Sequence, residues 1–312
     1  MSSPRIIVVG SSNTDLSVRS RRLPRAGETI TGGTFFEAGG GKGANQAVAA
    51  ARAGAQVSFV GRLGEDRLGG AALERLRAEG IETGAVVTDP EAASGVALIM
   101  IDSAGENLIS VAPGANHRLS AEDVHAAGER IAGADALLVQ LEIPLEAVEA
   151  ALRTADEHGV LTIMDPAPVP DDPLPQHLLE MVGVLTPNRS EAGQLAGLGP
   201  EAAPEESVPV LLERGVDAVA VTLGADGVLL SRGEEECRLA AAPAEPVDTV
   251  GAGDCFAATL AVALAEGRAL REAAEFALCA AAASTEREGA QPSQPGRAEI
   301  EARLSAYNGT KS

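Results

Sequence analysis

The stretch Asp248-Thr249-Val250-Gly251-Ala252-Gly253-Asp254 runs straight into the apolar pattern CFAATLAVALAEG. Three small residues in a row let consecutive backbone N–H groups converge on one point, and the helix that follows adds its positive N-terminal dipole there. Gly251, Ala252 and Gly253 therefore read as a hole for a phosphoryl group or another developing anion. An isolated Asp at a helix start is most often a cap. A carboxylate beside an anion hole, however, repels what the hole binds, so Asp254 makes better sense as a general base for a hydroxyl attacking phosphorus.

A second cluster, Gly39-Gly40-Gly41-Lys42-Gly43-Ala44-Asn45, opens the pattern QAVAAARAG. It is not a Walker A loop, because Gly43 rather than Ser or Thr follows Lys42. Nor is it a dinucleotide fingerprint, because no clear apolar strand directly precedes it and the later acidic residue is missing. The glycines alone describe a tight turn before a helix. Lys42 raises the functional reading, since the only other lysine of the chain is Lys311 in the C-terminal tail. With Asn45, a two-way hydrogen-bonding side chain, it suits a polyhydroxylated ligand.

Other polar residues close apolar runs, at the carboxyl ends of strands where α/β ligand sites form. Asn13 and Asp15 follow the first run in GSSNTD, where an Asx turn is the alternative, and Glu142 closes LLVQLE. Asn188 and Glu191, three apart in a first helical turn, suit either a hydrated Mg2+ beside a nucleotide or half of a capping box. Thr222, Gly224 and Gly227 lie in a glycine-flanked loop that suits nucleotide phosphates and, standing alone, reads as a hairpin turn. His117, His125, His158 and His177 show no metal spacing and read as solvated, Cys255 as a small packing residue, and Glu234–Glu236 as a solvated turn.

Positioning these residues requires a particular arrangement of elements. Short β-branched runs at 6–9, 57–60, 136–140, 161–164, 184–186 and 218–222 alternate with helical patterns at about 44–53, 69–78, 121–131, 145–157, 190–196, 252–265 and 270–284. That alternation is the signature of βαβ units around a mainly parallel sheet. Two stretches, about 13–36 and 94–111, break the rhythm with hairpin-like alternation and no helix, which suggests a small separate sheet.

The 312 residues carry 24 Lys plus Arg against 45 Asp plus Glu, a formal charge of −21 that argues against a general nucleic-acid binder. Hydrophobic residues make up 45% of the chain but only six are aromatic, so a sizeable core must be aliphatic. No apolar run approaches the roughly 18 to 20 residues of a bilayer span. The start of the chain lacks signal-peptide character and the three cysteines lack metal spacing, so we expect reduced thiols, a cytoplasmic location and no membrane partner.

GGGKGANQAVAAARAG and DTVGAGD together resemble the two signatures of the ribokinase and phosphofructokinase-B sugar kinase family, and the similarity runs over nearly the whole chain. PGAN at 113–116, QLEIP at 140–144, TPNRSEA at 186–192 and REGAQPS at 287–293 resemble its ribose-phosphorylating members. The resemblance implies an α/β fold, a three-layer αβα sandwich of ribokinase type with a mainly parallel central sheet and a small β-sheet lid. It also implies a single kinase domain over 1–312, with lid strands from about 13–38 and 94–112.

The implied reaction is phosphorylation of D-ribose at O5 by ATP, with Asp254 as base and Gly251, Ala252 and Gly253 as the anion hole. Asn13, Asp15, Gly41, Lys42, Asn45 and Glu142 match the family's sugar-binding positions. Asn188, Thr222, Gly224, Gly227 and Gly253 match nucleotide-binding ones, and Glu191 matches the glutamate that influences Mg2+. A K+ site falls on Asp248, Val250, Ser284, Arg287, Gly289 and Ser293, mostly through backbone carbonyls, and a homodimer through paired lids is implied. Leu278 departs from the family's polar residue near adenine, and Thr259 from a small residue in the catalytic helix. Two rival readings remain: a sibling kinase for deoxyribose, fructose or a nucleoside, and a non-catalytic sugar-binding protein on the same fold.

Overall fold

In the computed structural model, which describes residues 3–309, thirteen strands build two sheets. In chain order they are β1 Arg5–Val9, β2 Asn13–Arg19, β3 Thr34–Gly40, β4 Gln56–Gly64, β5 Glu82–Asp89, β6 Gly95–Ile101 and β7 Asn107–Ala112. There follow β8 Ala136–Gln140, β9 Leu161–Asp165, β10 Val184–Leu185, β11 Ala218–Thr222, β12 Val228–Arg232 and β13 Glu235–Leu239.

The large sheet has the order β13-β12-β11-β10-β9-β8-β1-β4-β5 and is parallel except for the hairpin strands β12 and β13. Its central strands read as continuous apolar runs because both faces are covered. In β1 the pleat sends Ile6 and Val8 into one core, with helices Lys42–Arg52, Ala252–Ala265 and Leu270–Thr285, while Ile7 and Val9 face the other, under Leu145–Glu157. The result is a three-layer αβα sandwich. Its core is aliphatic and alanine-rich, Phe59 and Phe276 being its only aromatics among the largest fully buried side chains.

The small sheet has the order β3-β2-β6-β7, with a parallel β2/β6 pair at its centre flanked by two antiparallel pairs. It leaves Val18, Phe35, Phe36, Leu98, Met100, Leu108, Ile109 and Val111 exposed. β1 passes into β2 through only Gly10–Ser12, so the two sheets meet at Asn13.

Some elements depart from the sequence pattern. The helix expected over 121–131 divides at Ala127 into Ala121–Ala126 and Gly128–Ala132, where Gly128 favours a break. Helix Pro204–Glu213 forms although the exposed Pro209 removes one internal N–H donor from it. The acidic run does not stay in a turn: Glu235 and Glu236 open edge strand β13, and charge on an edge discourages pairing with other chains. No described helix is long and apolar enough to cross a membrane. Lys311 lies outside the described residues.

Candidate active site

Helix Ala252–Ala265 starts from Gly251, whose φ of 77° is left-handed and whose missing Cβ would lie 3.1 Å from Ala290. Ala252 N–H turns back to Thr249 O at 3.2 Å, whereas the amides of Gly253 and Asp254 find no acceptor among the described residues. A Cβ on Gly253 would meet no protein atom within 4 Å, so packing does not demand glycine there. Open space beside unpaired N–H groups at a helix N-terminus is an anion cradle.

Asp254 is the third residue of that helix and 4% exposed, and its carboxylate caps nothing. It accepts Asn45 Nδ2 at 2.8 Å and Gln46 Nε2 at 3.3 Å, with Lys42 Nζ at 3.7 Å. These three donors occupy the first turn or so of helix Lys42–Arg52, which begins after Gly41 at φ 85°. Cβ atoms on Gly41 and Gly43 would stand 2.6 Å from Asn13 N and 2.7 Å from Ser11 N. The glycines thus let this helix start press on the β1–β2 connection, where Ala44 N donates to Ser11 O.

The carboxylates expected for a sugar converge on the same end. Glu142 accepts Ser11 Oγ and, at 3.0 Å, Lys42 N. Asn13 Oδ1 accepts Asn116 Nδ2 at 2.8 Å, and Asn116 in turn holds Ser12 N. Asp15 lies across Gly40, whose Cβ would collide with its carboxylate. Burial, then the nearby Glu142, push the Asp15 carboxyl up to about 6 against the opposing pull of Arg75. Asn45 Oδ1 is buried without a partner, an acceptor left for a hydroxyl.

On the nucleotide side, Asn188 and Glu191 form a reciprocal capping box on helix Arg189–Leu195, so one oxygen of each is committed to backbone N–H groups. Asn188 pairs in a β-bridge with Thr222, which brings TPN beside the loop of Gly224 and Gly227. Packing already requires glycine at 227, since a Cβ there would run into Leu239 O. Leu278 is buried in the apolar core, and Thr259 Oγ1 folds onto Cys255 O at 2.6 Å. Cys255 is fully buried, and burial pushes its thiol up, so it stays unreactive. All four histidines are exposed.

Behind the cradle, Asp248 ties two segments together by accepting Val250 N and Gly289 N at 3.0 and 2.8 Å. The Ser284 and Ser293 hydroxyls donate to backbone carbonyls, and the Arg287 side chain pairs with Glu299. The carbonyls of Val250 and Arg287 accept no hydrogen bond among the described residues. Gln294 Nε2 reaches Gly251 O at 3.4 Å, and Arg52 donates to the carbonyls of Gln291 and Gln294.

The sequence reading did not single out Gln46, Asn116, Gln140 or Asp165. Asp165 ends β9 and is 4% exposed; its Oδ2 accepts Lys42 Nζ at 3.1 Å and Gln46 Nε2 at 2.9 Å. The rule that flagged Glu142, a polar residue closing a buried parallel strand, would have found Asp165. An alcohol placed between Asp254 and the open amides would have a base on one side and a stabilised electrophile on the other.

Residues 3–297 match the model of the pfkB family of carbohydrate kinases. The chain is 41% identical over 300 residues to the ribokinase of Bacillus subtilis, covering 96% of this chain and 99% of that one. It is 38% identical to the ribokinase of Mus musculus over 93% of this chain and 91% of the relative. A solved structure of Arabidopsis thaliana ribokinase with ribose and ATP superposes with a TM-score of 0.88 at 36% identity, covering 97% of this chain and 99% of that one.

Proposed function

The chain belongs to the pfkB family of carbohydrate kinases, and we propose that its substrate is D-ribose, phosphorylated at O5 by ATP to give D-ribose 5-phosphate and ADP. The observation that carries this reading is the buried Asp254 carboxylate beside the unpaired amides of Gly253 and Asp254. Asn13, Asp15, Asn45 and Glu142 supply acceptors and amides for sugar hydroxyls, with Gly41 and Lys42 at the helix start, and orient the 5-hydroxyl toward Asp254. Asp254 takes the hydroxyl proton as O5 bonds to the γ-phosphorus, and the bond from that phosphorus to the ADP oxygen breaks. The open amides hold the charge that gathers on the transferred group, with Gly251, Ala252 and Gly253 shaping the cradle.

Asn188, Thr222, Gly224, Gly227 and Gly253 hold the nucleotide in this reading. Among the described residues no three His, Cys, Asp or Glu side chains stand together as a metal site, which suits a Mg2+ that arrives with ATP near Glu191. Bound with ATP, Mg2+ supplies neutralisation of phosphate charge. The unpaired carbonyls of Val250 and Arg287, in the segments tied by Asp248, fit a K+ held by Asp248, Val250, Ser284, Arg287, Gly289 and Ser293 that stiffens the cradle without touching substrate.

The small sheet serves as a lid on a single kinase domain, and its exposed apolar face supports a homodimer in which lids pair. Free cysteines and the need for ATP support a cytoplasmic location. An ADP-release assay on D-ribose, 2-deoxyribose, fructose and a nucleoside, with and without K+, tests this reading. Strongest turnover with ribose and a gain with K+ are expected. Preference for another sugar replaces the substrate, and no ADP release with any sugar refutes kinase activity.

A further inference from the structure

The Lys42 side chain is half-buried, and its ammonium does not face a lone acceptor. It stands between two buried carboxylates on different strands and helices, 3.1 Å from Asp165 Oδ2 and 3.7 Å from Asp254 Oδ1. Gln46 repeats the arrangement, with Nε2 at 2.9 Å from Asp165 and 3.3 Å from Asp254. The orientation of that amide is fixed from behind, because Gln140 Nε2 donates to Gln46 Oε1 at 2.6 Å. In both pairs the shorter contact goes to Asp165, the carboxylate that the phosphoryl transfer does not use.

We propose that Asp165 is a positioning residue for the transfer reaction, holding the Lys42 ammonium and the Gln46 amide off Asp254 so that the base is oriented without being drawn into a direct ion pair. The proposal rests on Asp254 being the base. Without Asp165, Asp254 at 3.7 Å is the close carboxylate left to the partly buried ammonium, which shifts toward it. A carboxylate in a direct ion pair is a weaker base. Burial pushes the Asp165 carboxyl up, Lys42 pulls it back down, and Asp254 adds to the upward push. Burial works against the Lys42 charge, but Asp165, Asp254 and Glu142 outweigh it and keep the ammonium protonated. Glu191 also faces Asp165, and Asp15 faces Asp254.

The test is Asp165→Asn, which preserves volume, in the full-length enzyme. Three outcomes are expected together: kcat about 10- to 100-fold lower, ribose KM within about 3-fold, and the acid limb of the kcat profile moved to lower pH. In a Lys42→Met background, the same Asp165 substitution should no longer move the acid limb. The chain has two lysines, Lys42 and Lys311, so [13C]-lysine NMR reads Lys42 without any turnover. Asp165→Asn should shift one of the two side-chain signals and leave the other in place.

An unchanged lysine spectrum overturns the proposal, because Asp165 then does not hold the ammonium. A lower kcat with an unmoved acid limb, or the same acid-limb shift with Lys42 absent, also overturns it and leaves a purely structural residue. Wild-type enzyme that releases no ADP with any sugar refutes the proposed kinase function instead, and the NMR arm still decides whether Asp165 holds Lys42.

Discussion

Asp15→Asn should stabilise the protein while spoiling the sugar site. Burial, and then Glu142, push the Asp15 carboxyl up to about 6 in the folded chain from its ordinary value of 3.8. A folded-state pKa above the unfolded one means that the folded chain binds the proton more tightly. Ionisation therefore erodes stability as pH rises from about 4 to about 6, and the full cost is present above that window. The rise from 3.8 to about 6, at about 1.36 kcal/mol per tenfold change in proton affinity, makes that cost about 3 kcal/mol. Unfolding entropy of about 2.1 cal/mol/K per residue converts this to a rise in Tm of about 5 °C for Asn at pH 8. At pH 5 about half of the gain should remain, since the wild-type carboxyl is then largely protonated. Ribose KM should rise about 10- to 100-fold, the worth of hydrogen bonds to a charged acceptor. Scanning calorimetry at the two pH values and ribose titration provide the readings. Equal Tm values at pH 8, or a gain that does not shrink toward pH 5, would refute the reasoning.

Asp254→Asn should lower kcat by about 10²- to 10⁴-fold with ribose binding nearly intact by calorimetry, and normal turnover in that variant would remove Asp254 as the base. Gly253→Ala meets no protein atom, so its Tm should stay within about 1 °C of wild type, whereas turnover should fall by about 10²- to 10³-fold through blocking of the cradle; unchanged turnover would show that no anion sits there. Phe35→Asp with Ile109→Asp should convert a dimer to a monomer in light scattering, and a wild-type protein that is already monomeric would contradict lid pairing.

The legible parts of the molecule were those written in local sequence. Gly251–Asp254 before an apolar helical run, and alternating strand and helix patterns, needed only neighbouring residues to interpret. Asn188 and Glu191 were legible as a capping box, and the structure shows that box without excluding a nucleotide beside it. What stayed hidden depends on contacts between distant segments. Lys42 was legible as a polar group of the sugar site, but not that its ammonium lies against carboxylates 123 and 212 residues away in sequence, Asp165 and Asp254. Gln46 and Gln140 carry no motif of their own and matter only because β8, β9 and helix Lys42–Arg52 abut. The parallel β2/β6 pair was likewise invisible, since nothing in either hairpin specifies the other.

The sheet order has a consequence for synthesis of the chain. β1 lies inside the sheet, and on one side the strands follow outward as β8, β9, β10, β11, β12 and β13, the order in which a ribosome delivers them. Each new strand can join an existing edge with nothing to displace. Helices Ala252–Ala265, Leu270–Thr285 and Arg297–Gly309 come last, and the first of them brings Asp254 down onto Asn45 and Gln46. A nascent chain of some 245 residues already contains Asn13, Asp15 and Glu142 but not yet Gly251–Asp254. Residues 1–245 therefore hold the polar side chains gathered around Asn13 and Glu142 while still lacking the helix start that faces them.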